Sequence, residues 1–509
     1  MAFFGVIIAA LQVYGGAYEA EFDGHPDEAA HFVSSLMILD YIGQWPWPDP
    51  LPWAAQYYIH YPKVAIGHWP PGFYTIQAAW WLLFPPGRAS SMWLNIAMGL
   101  AAMGLFVSAA RRIRDSWPAA VVGGVGLLFL PIMQEAHAQV MAELPSLLFV
   151  MCLLWSLTRL MEDPSGTWVL YVLTALAGAL AVKGTAVALV ASPVIAVALS
   201  GVWRLIPLRY LIGWPAAAGA AAAGLYLWQY RWSFQRIVSW GGLIPESAWS
   251  VNLLPGITGA GILVLAGAGA GVVIWRRQPA AVAALSILGS MLLTSYFVRA
   301  MRETRHWIAA VPMLILLCLA AYAWLERKTR WAPLALAAAL ITYPVAIYQQ
   351  RAAGFAALAA QIRQPARMLF SSPQDWREGP WIAIVCLRES RPSSTIVRAT
   401  KLLSASTWDG ENYRALVFTS QDVERKLDET AIDVAVLDKA GITQPPGKAP
   451  RPHHHLLAAT LRASPSWKPC GAAGELTAYC RVAPPRFSRQ PLRFDLMERL
   501  GLTIEERVQ

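Results

Sequence analysis

Through its first 350 residues the chain returns again and again to apolar runs of about the length that crosses a bilayer, and this repetition constrains the fold most. A span of about 30 Å of hydrocarbon takes about 20 apolar residues, and inside it every backbone polar group must be paired within the segment, which leaves helices as the available form. Runs of that order are centred near residues 9, 100, 125, 151, 175, 192, 219, 265, 289, 315 and 340, several broken by glycine or proline. The expectation is a polytopic α-helical membrane protein with about 11 transmembrane helices. Composition agrees: 56% of residues are hydrophobic, only 14% are charged and the mean hydropathy is +0.41, far from the charged surface of a soluble domain. The 24 tryptophans and 17 tyrosines suit the two interfacial belts where amphipathic rings collect. The opening MAFFGVIIAALQVYGG has no basic residue before its apolar run and no small-residue cleavage site, so it reads as a short first span rather than a removable signal peptide.

Orientation follows from the basic clusters. Arg111, Arg112 and Arg114; Arg159; Arg204 and Arg209; Arg276 and Arg277; and Arg327, Lys328 and Arg330 fall in alternate loops, and the excess of Lys and Arg marks the cytoplasmic side. The localisation expected is the inner (plasma) membrane, multi-pass. The outer face then carries residues 17–90, 132–143, the turn at Lys183, 229–254 and 299–306. His68 to Phe84, HWPPGFYTIQAAWWLLF, is read as an interfacial or re-entrant helix, because a further span there would reverse the side of every later cluster. The net charge of +10 is spread over short loops rather than gathered on one stripe, which argues against a nucleic-acid partner. The tryptophans and tyrosines of Trp45 to Tyr61 are read as an interface belt.

From about residue 350 the chain turns polar. WIAIVCL (381–387), YRALVF (413–418) and DVAVLD (433–438) read as strands, and SQDVERKLDE between the last two as a helix, so residues 351–509 are expected to form a small extracytoplasmic α/β domain beside a 1–350 transmembrane domain with its first outer loop at 17–90. TQPPGKAPRP (Thr443 to Pro452) marks a loop, and His453 to His455 are read as a solvated loop rather than a metal site. Cys152 and Cys318 are packing residues in spans, Cys386 lies in an expected buried strand, and Cys470 and Cys480 sit where a disulfide is permitted.

The polar residues left on the outer face are few, and their types suit group transfer at a lipid phosphate. Asp27 and Glu28, in HPDEAAHF, supply carboxylates beside a membrane, where charge is a functional-site signal. Glu143 opens the fourth span, with Glu135 and His137 just before it in a short loop. Lys183 in AVKGTAVAL and Arg299, Arg302 and Arg305 in VRAMRETRHWIAAVP bring cations that can bind phosphate oxygens.

The order of these features resembles the GT-C superfamily of membrane glycosyltransferases. The acidic pair after the first span, the prolines of HWPPGFY, the acidic residue opening the fourth span, the Lys-Gly of AVKGTAV and the arginine of ETRHWIAAVP are most similar to the protein mannosyltransferase and aminoarabinose transferase families, over about the first 350 residues. The resemblance implies an integral-membrane enzyme moving a hexosyl or pentosyl group, with inversion, from a polyprenyl-phosphate-linked sugar to an extracytoplasmic acceptor that is a lipid, a glycan or a protein. It makes Asp27 the catalytic base, Glu28 an orienting group or ion ligand, and Glu143 the second acidic position. Lys183 and Arg305 match the donor-phosphate positions, with Arg302 and Arg299 as further candidates. Two positions depart from the pattern: Ala142 precedes Glu143 where an arginine is common, and His306 follows Arg305 where a tyrosine is usual. His68, His137 and Glu135 are candidate substrate contacts.

Each of these residues also has a plainer reading. Asp27 and Glu28 suit the first turn of a following helix, Lys183 suits a snorkelling span end, and Arg299 and Arg302 suit headgroup anchors. A divalent metal is a candidate cofactor, with Asp27, His31 and His137 as candidate ligands, although no pair has the tight spacing of a dedicated site. Two other functional classes stay open: a secondary transporter or lipid flippase, which would place charges near the midplane of repeated halves, and a non-catalytic membrane scaffold carrying a periplasmic binding module.

Overall fold

The computed structural model describes residues 1–65, 67–207, 210, 212–213, 216, 219–220, 223–224, 251–295, 301, 303–344, 346–389, 392–405, 413–439, 451–484, 491–496 and 502–505. It divides into two compact units. One comprises Met1–Ala17, Gly67–Ile76 and Ser91–Gln349; the other comprises Tyr18–Ile66, Gln77–Ser90 and Gln350–Gln509.

The first unit is helical. Among the described residues, Arg88–Ile113, most of which lies in this unit, and Glu143–Glu162 are long and apolar enough to cross a membrane, and two bent pairs raise the number to four if each is one span. The other runs form shorter helices, among them Ala2–Tyr14, Gly166–Val182, Pro279–Ser295, Ala310–Glu326 and Ala332–Ile341. Apolar helices lie at the predicted centres, but among the described residues most are shorter than a full crossing and two to four, rather than about 11, are long enough for a span; the run around 219 falls largely outside the described residues. The breaks have local causes. Ser116 Oγ accepts from Ala119 N at 3.4 Å and Pro118 sits in the first turn of Trp117–Phe129, while Pro131 restarts the chain as Pro131–Ala138 at a 70° bend, as expected of a residue that cannot continue a helix but can begin one. A second bend, of 112°, occurs at Gly259, whose φ of +87° and a carbonyl 2.1 Å from the place of a β-carbon admit only glycine. Gly269 likewise lets the helix Ala260–Arg276 close on the backbone of Leu317 in Ala310–Glu326.

The second unit joins the early segment to the C-terminal chain. Its sheet is formed by β1 (Arg367–Ser371), β2 (Thr395–Arg398), β3 (Val434–Asp438), β4 (Trp467–Ala473) and β5 (Leu476–Arg481), in the order β2-β1-β3-β5-β4. β2, β1 and β3 are parallel, and β5 and β4 add an antiparallel hairpin. The core gathers Leu369, Val397, Val423, Leu427, Ala435, Leu457 and Trp467. Ser420–Glu429 is the helix read from SQDVERKLDE, started by a capping box between Thr419 and Asp422. The strand expected over 433–438 is β3.

Three expectations fail here. WIAIVCL is not a strand: it lies in the helix Glu378–Arg388, with Trp381 to Cys386 all buried. A short apolar run has no periodicity to separate the two, and Glu378 and Pro380 in the first turn favour the helix. YRALVF contributes only Arg414–Ala415 to a two-residue ladder. His453 to His455 belong to the helix Pro452–Ala463, with His453 and His454 buried, rather than to a solvated loop. The loop expected from TQPPGKAPRP lies, up to residue 450, outside the described residues. Cys470 and Cys480 are disulfide-bonded, Cys470 falling at the register shift between Pro469 and Gly471 in β4.

The early segment is built into this unit by buried polar contacts. Glu21 accepts backbone N–H bonds from Ala353, Gly354, Phe355 and Ala356 at 2.7 to 3.0 Å, neutralising the amino end of Phe355–Gln361. Arg377 donates to Asp23 at 3.0 Å and to Asp438, at the carboxyl end of β3, at 2.7 Å.

Candidate functional site

Within the helical unit, Glu143 begins the helix Glu143–Glu162 and is buried, at 4% exposure. Lys183 stands where Gly166–Val182 ends and the 3-10 turn Gly184–Leu189 begins, with extended backbone. Arg305 lies in the 3-10 turn Thr304–Trp307, which Trp307 ties down by donating Nε1 to Met301 O at 2.8 Å. These breaks bring the three charges together. Lys183 Nζ donates to Glu143 Oε1 at 2.8 Å, and Arg305 Nε stands 3.8 Å from the same oxygen while donating to Glu303 Oε2 at 2.6 Å. Among the described residues Glu143 Oε2 is buried with no hydrogen-bond partner. Two cations thus face two carboxylates, Glu143 buried and Glu303 exposed, and the ammonium and guanidinium are the groups in this cluster able to bind an anion. Arg299 and Arg302 lie outside the described residues.

Glu135 and His137 are in the helix Pro131–Ala138 rather than in a loop, because Pro131 opens a helix that Gln139 closes. The His137 carbonyl accepts from Gln12 and Asn95 at 2.8 and 3.1 Å. Its ring lines a narrow apolar cavity with Met103, Phe106 and Leu144, and among the described residues both ring nitrogens are buried without a hydrogen-bond partner. His68 is buried and lies edge-on to Trp69, the ring centroids 4.4 Å apart.

In the second unit Asp27 precedes the helix Glu28–Ile42 and keeps its side chain 20% exposed, without capping the helix. Its N–H donates to His25 Nδ1 at 3.1 Å, and that nitrogen is 3.8 Å from Asp27 Oδ2. Glu28 is fully buried. Arg88 donates to Glu28 Oε1 at 2.6 Å and Gly24 N to Oε2 at 3.1 Å, while Arg88 also holds Gln350 at 2.6 Å. The acidic pair is therefore divided in character, one carboxylate partly open and the next locked in an ion pair.

Sequence reasoning passed over Lys63, which is buried in this unit. Burial, then the charge of Arg398, draws its ammonium down to about 8 against the opposing pull of Asp27 and Glu378. A signal was present, since no lysine or arginine precedes Lys63. Arg88, Asp23 and Arg377 had no comparable mark, their partners being remote in sequence.

The proposed residues thus fall into two sets, Glu143, Lys183, Arg305, Glu135, His137 and His68 in one unit and Asp27, Glu28 and His31 in the other. Among the described residues no group of three or more His, Cys, Asp or Glu side chains is placed to hold a metal ion. The metal candidates Asp27 and His31 belong to the second unit and His137 to the first.

No family model matches the sequence and no curated protein is significantly similar to it. Among solved structures, ArnT from Cupriavidus metallidurans in the apo state matches at 16% identity with a TM-score of 0.59, covering 94% of this chain and 98% of that one. The same protein bound to undecaprenyl phosphate matches at 14% identity and a TM-score of 0.57 over the same shares. The chain therefore has a fold similar to that of ArnT, an aminoarabinose transferase of the GT-C family.

Proposed function

We propose that the protein is an integral-membrane glycosyltransferase of GT-C type that moves a sugar from a polyprenyl-phosphate donor to an extracytoplasmic acceptor. The observation that carries this reading is the ArnT-like fold over 94% of the chain, one of whose solved examples holds undecaprenyl phosphate. Asp27 takes the proton of the acceptor nucleophile as it attacks the anomeric carbon. The bond from that carbon to the phosphate oxygen breaks with inversion, and polyprenyl phosphate leaves with the electron pair. Negative charge develops on the leaving phosphate, which Lys183 and Arg305 neutralise. Glu143 holds Lys183 and Arg305 together, and Glu28, fixed by Arg88, orients the turn that carries Asp27. A divalent ion, if bound, would add charge neutralisation on the phosphate.

The test is Asp27→Asn in the full chain, assayed in membranes for transfer of labelled sugar from a polyprenyl-phosphate donor. Removal of a general base is expected to lower the rate by about 10²- to 10⁴-fold with expression intact. Wild-type turnover by the variant would end the base assignment, and movement of labelled lipid without covalent transfer would replace the enzyme by a flippase.

A further inference from the structure

An open apolar groove lies in the helical unit, away from Glu143 and at the opposite end of the helix that Glu143 begins. It encloses about 360 Å³ and is lined by Leu160, Val172, Val194, Val197, Trp203 and Ile206 among others, a volume in the range of small-molecule sites. Its walls come from the carboxyl end of Glu143–Glu162, the amino end of Gly166–Val182, the length of Ser192–Ser200 and the segment after it that carries Trp203 and Ile206. Val194 and Trp203 are 57% and 49% exposed.

The rim is basic. Arg204 stacks over Trp203 at 5.1 Å, and an Arg277 guanidinium nitrogen lies 3.9 Å from where a side-chain carbon on Gly201 would stand. Arg159 lies over Trp168 at 5.1 Å but is already held by Glu162 at 2.9 Å. Arg204 and Arg277 thus border the end of Ser192–Ser200, with apolar wall below and an aromatic ring at the boundary. Hydrocarbon below, a ring at the boundary and guanidinium above is the profile of a single amphiphile with an anionic head.

We infer that this groove holds one acyl chain of an anionic bilayer phospholipid, whose phosphate is bound by Arg204 and Arg277. A bilayer supplies this molecule at high local concentration, and the arginines select it over a zwitterionic lipid. The inference does not depend on the glycosyltransferase reading, because its readout is lipid retention.

Native mass spectrometry of the detergent-solubilised full chain, with phosphatidylglycerol or phosphatidylcholine added at equal concentration, tests it. Two arginines near one headgroup predict a preference for phosphatidylglycerol of roughly tenfold to thirtyfold. The pair Arg204→Gln with Arg277→Gln should abolish the preference, and Arg204→Lys with Arg277→Lys should keep most of it. Ala198→Trp, which fills the groove from its own wall, should lower retention of both lipids while the unfolding temperature stays near wild type. Equal retention of the two lipids by wild type, or unchanged preference in the glutamine variant, would overturn the inference. Displacement of phosphatidylglycerol by equimolar undecaprenyl phosphate would also overturn it, assigning the groove to a polyprenyl lipid.

Discussion

Glu143 illustrates how much a single buried carboxylate decides. Lys183 shares its Oε1 with the more distant Arg305, and among the described residues Oε2 is buried without a partner, so Glu143 is both a counter-ion that keeps two cations in an apolar layer and a group whose own burial is only partly compensated. Breaking such a pair from one side leaves an uncompensated charge, which typically destabilises by about 3 to 5 kcal/mol, whereas removing both charges is far milder. Lys183→Met is therefore expected to lower the unfolding temperature in detergent by more than the double change Lys183→Met with Glu143→Gln. A thermal melt of the two purified variants checks this, and equal melts would mean the pair is solvated. Asp23 makes a second residue-scale case. Burial, opposed by Arg377 and reinforced by Asp438, Glu28 and Glu21, pushes its carboxyl up to about 7. Between the ordinary aspartate value and 7 the folded state holds a proton that the unfolded state has lost, so this group's contribution to stability falls as pH rises through that window and is level above it. Asp23→Asn should remove this slope, leaving Arg377 to Asp438, and should gain stability relative to wild type at pH 8 but not at pH 4. Melting temperatures of both proteins at the two pH values decide it.

At the scale of elements, legibility tracked whether the signal was local. The helix Ser420–Glu429 is announced by Thr419 and Asp422, and the helix after Asp27 by its carboxylates. The strands RMLFS and TIVR are not announced: β1 and β2 are short and buried, too short to show alternation, and Arg367, buried outright, reads as a surface residue until its donation to Thr430 O is seen. WIAIVCL failed for the opposite reason, its apolar run fitting either a strand or a helix. The triple histidine was misread because exposure was inferred from composition, whereas Pro452 starts a helix that turns His453 and His454 inward, against Tyr413 and Ser371. That burial has a consequence. It holds His453 near 4 and His454 near 3, below the ordinary histidine value. As pH falls from that ordinary value the unfolded state takes up protons first, and stability held by this helix is lost until the folded values are passed. Hydrogen-exchange protection of residues 452–463, corrected for intrinsic rate, should drop between pH 7 and pH 5 more than that of 420–429. Parallel loss in both helices would point to global unfolding instead.

At the scale of the molecule, the arrangement of the helical unit bears on the side assignments made from arginine counts. Arg112 bonds Glu162 at 2.5 Å, Arg114 bonds Glu326 at 2.7 Å, and Gln278 donates to the Arg112 carbonyl. The basic turns near residues 112, 162, 278 and 326, remote in sequence, therefore meet at one end of the helices, which is what alternate loops on one side of a membrane require. Glu143 and Lys183 sit at the other end of the hairpin formed by Glu143–Glu162 and Gly166–Val182. What the sequence could not carry was which charges close on which, since the partners are set by packing between segments 40 to 212 residues apart. The side assignment itself is open to direct measurement through one exposed and one half-buried position. The Glu303 side chain is 55% exposed beside Arg305, and Thr329 lies in the basic turn after Ala310–Glu326. Glu303→Cys and Thr329→Cys, each labelled in spheroplasts with a membrane-impermeant maleimide, should differ: the first reacts from outside, the second only after permeabilisation. The native Cys318 and Cys386 are buried and Cys152 is half-buried, so a cysteine-free background is needed only if wild type reacts. The reverse pattern would invert the unit in the bilayer and move Glu143, Lys183 and Arg305 to the cytoplasmic face, where an extracytoplasmic acceptor could not meet them.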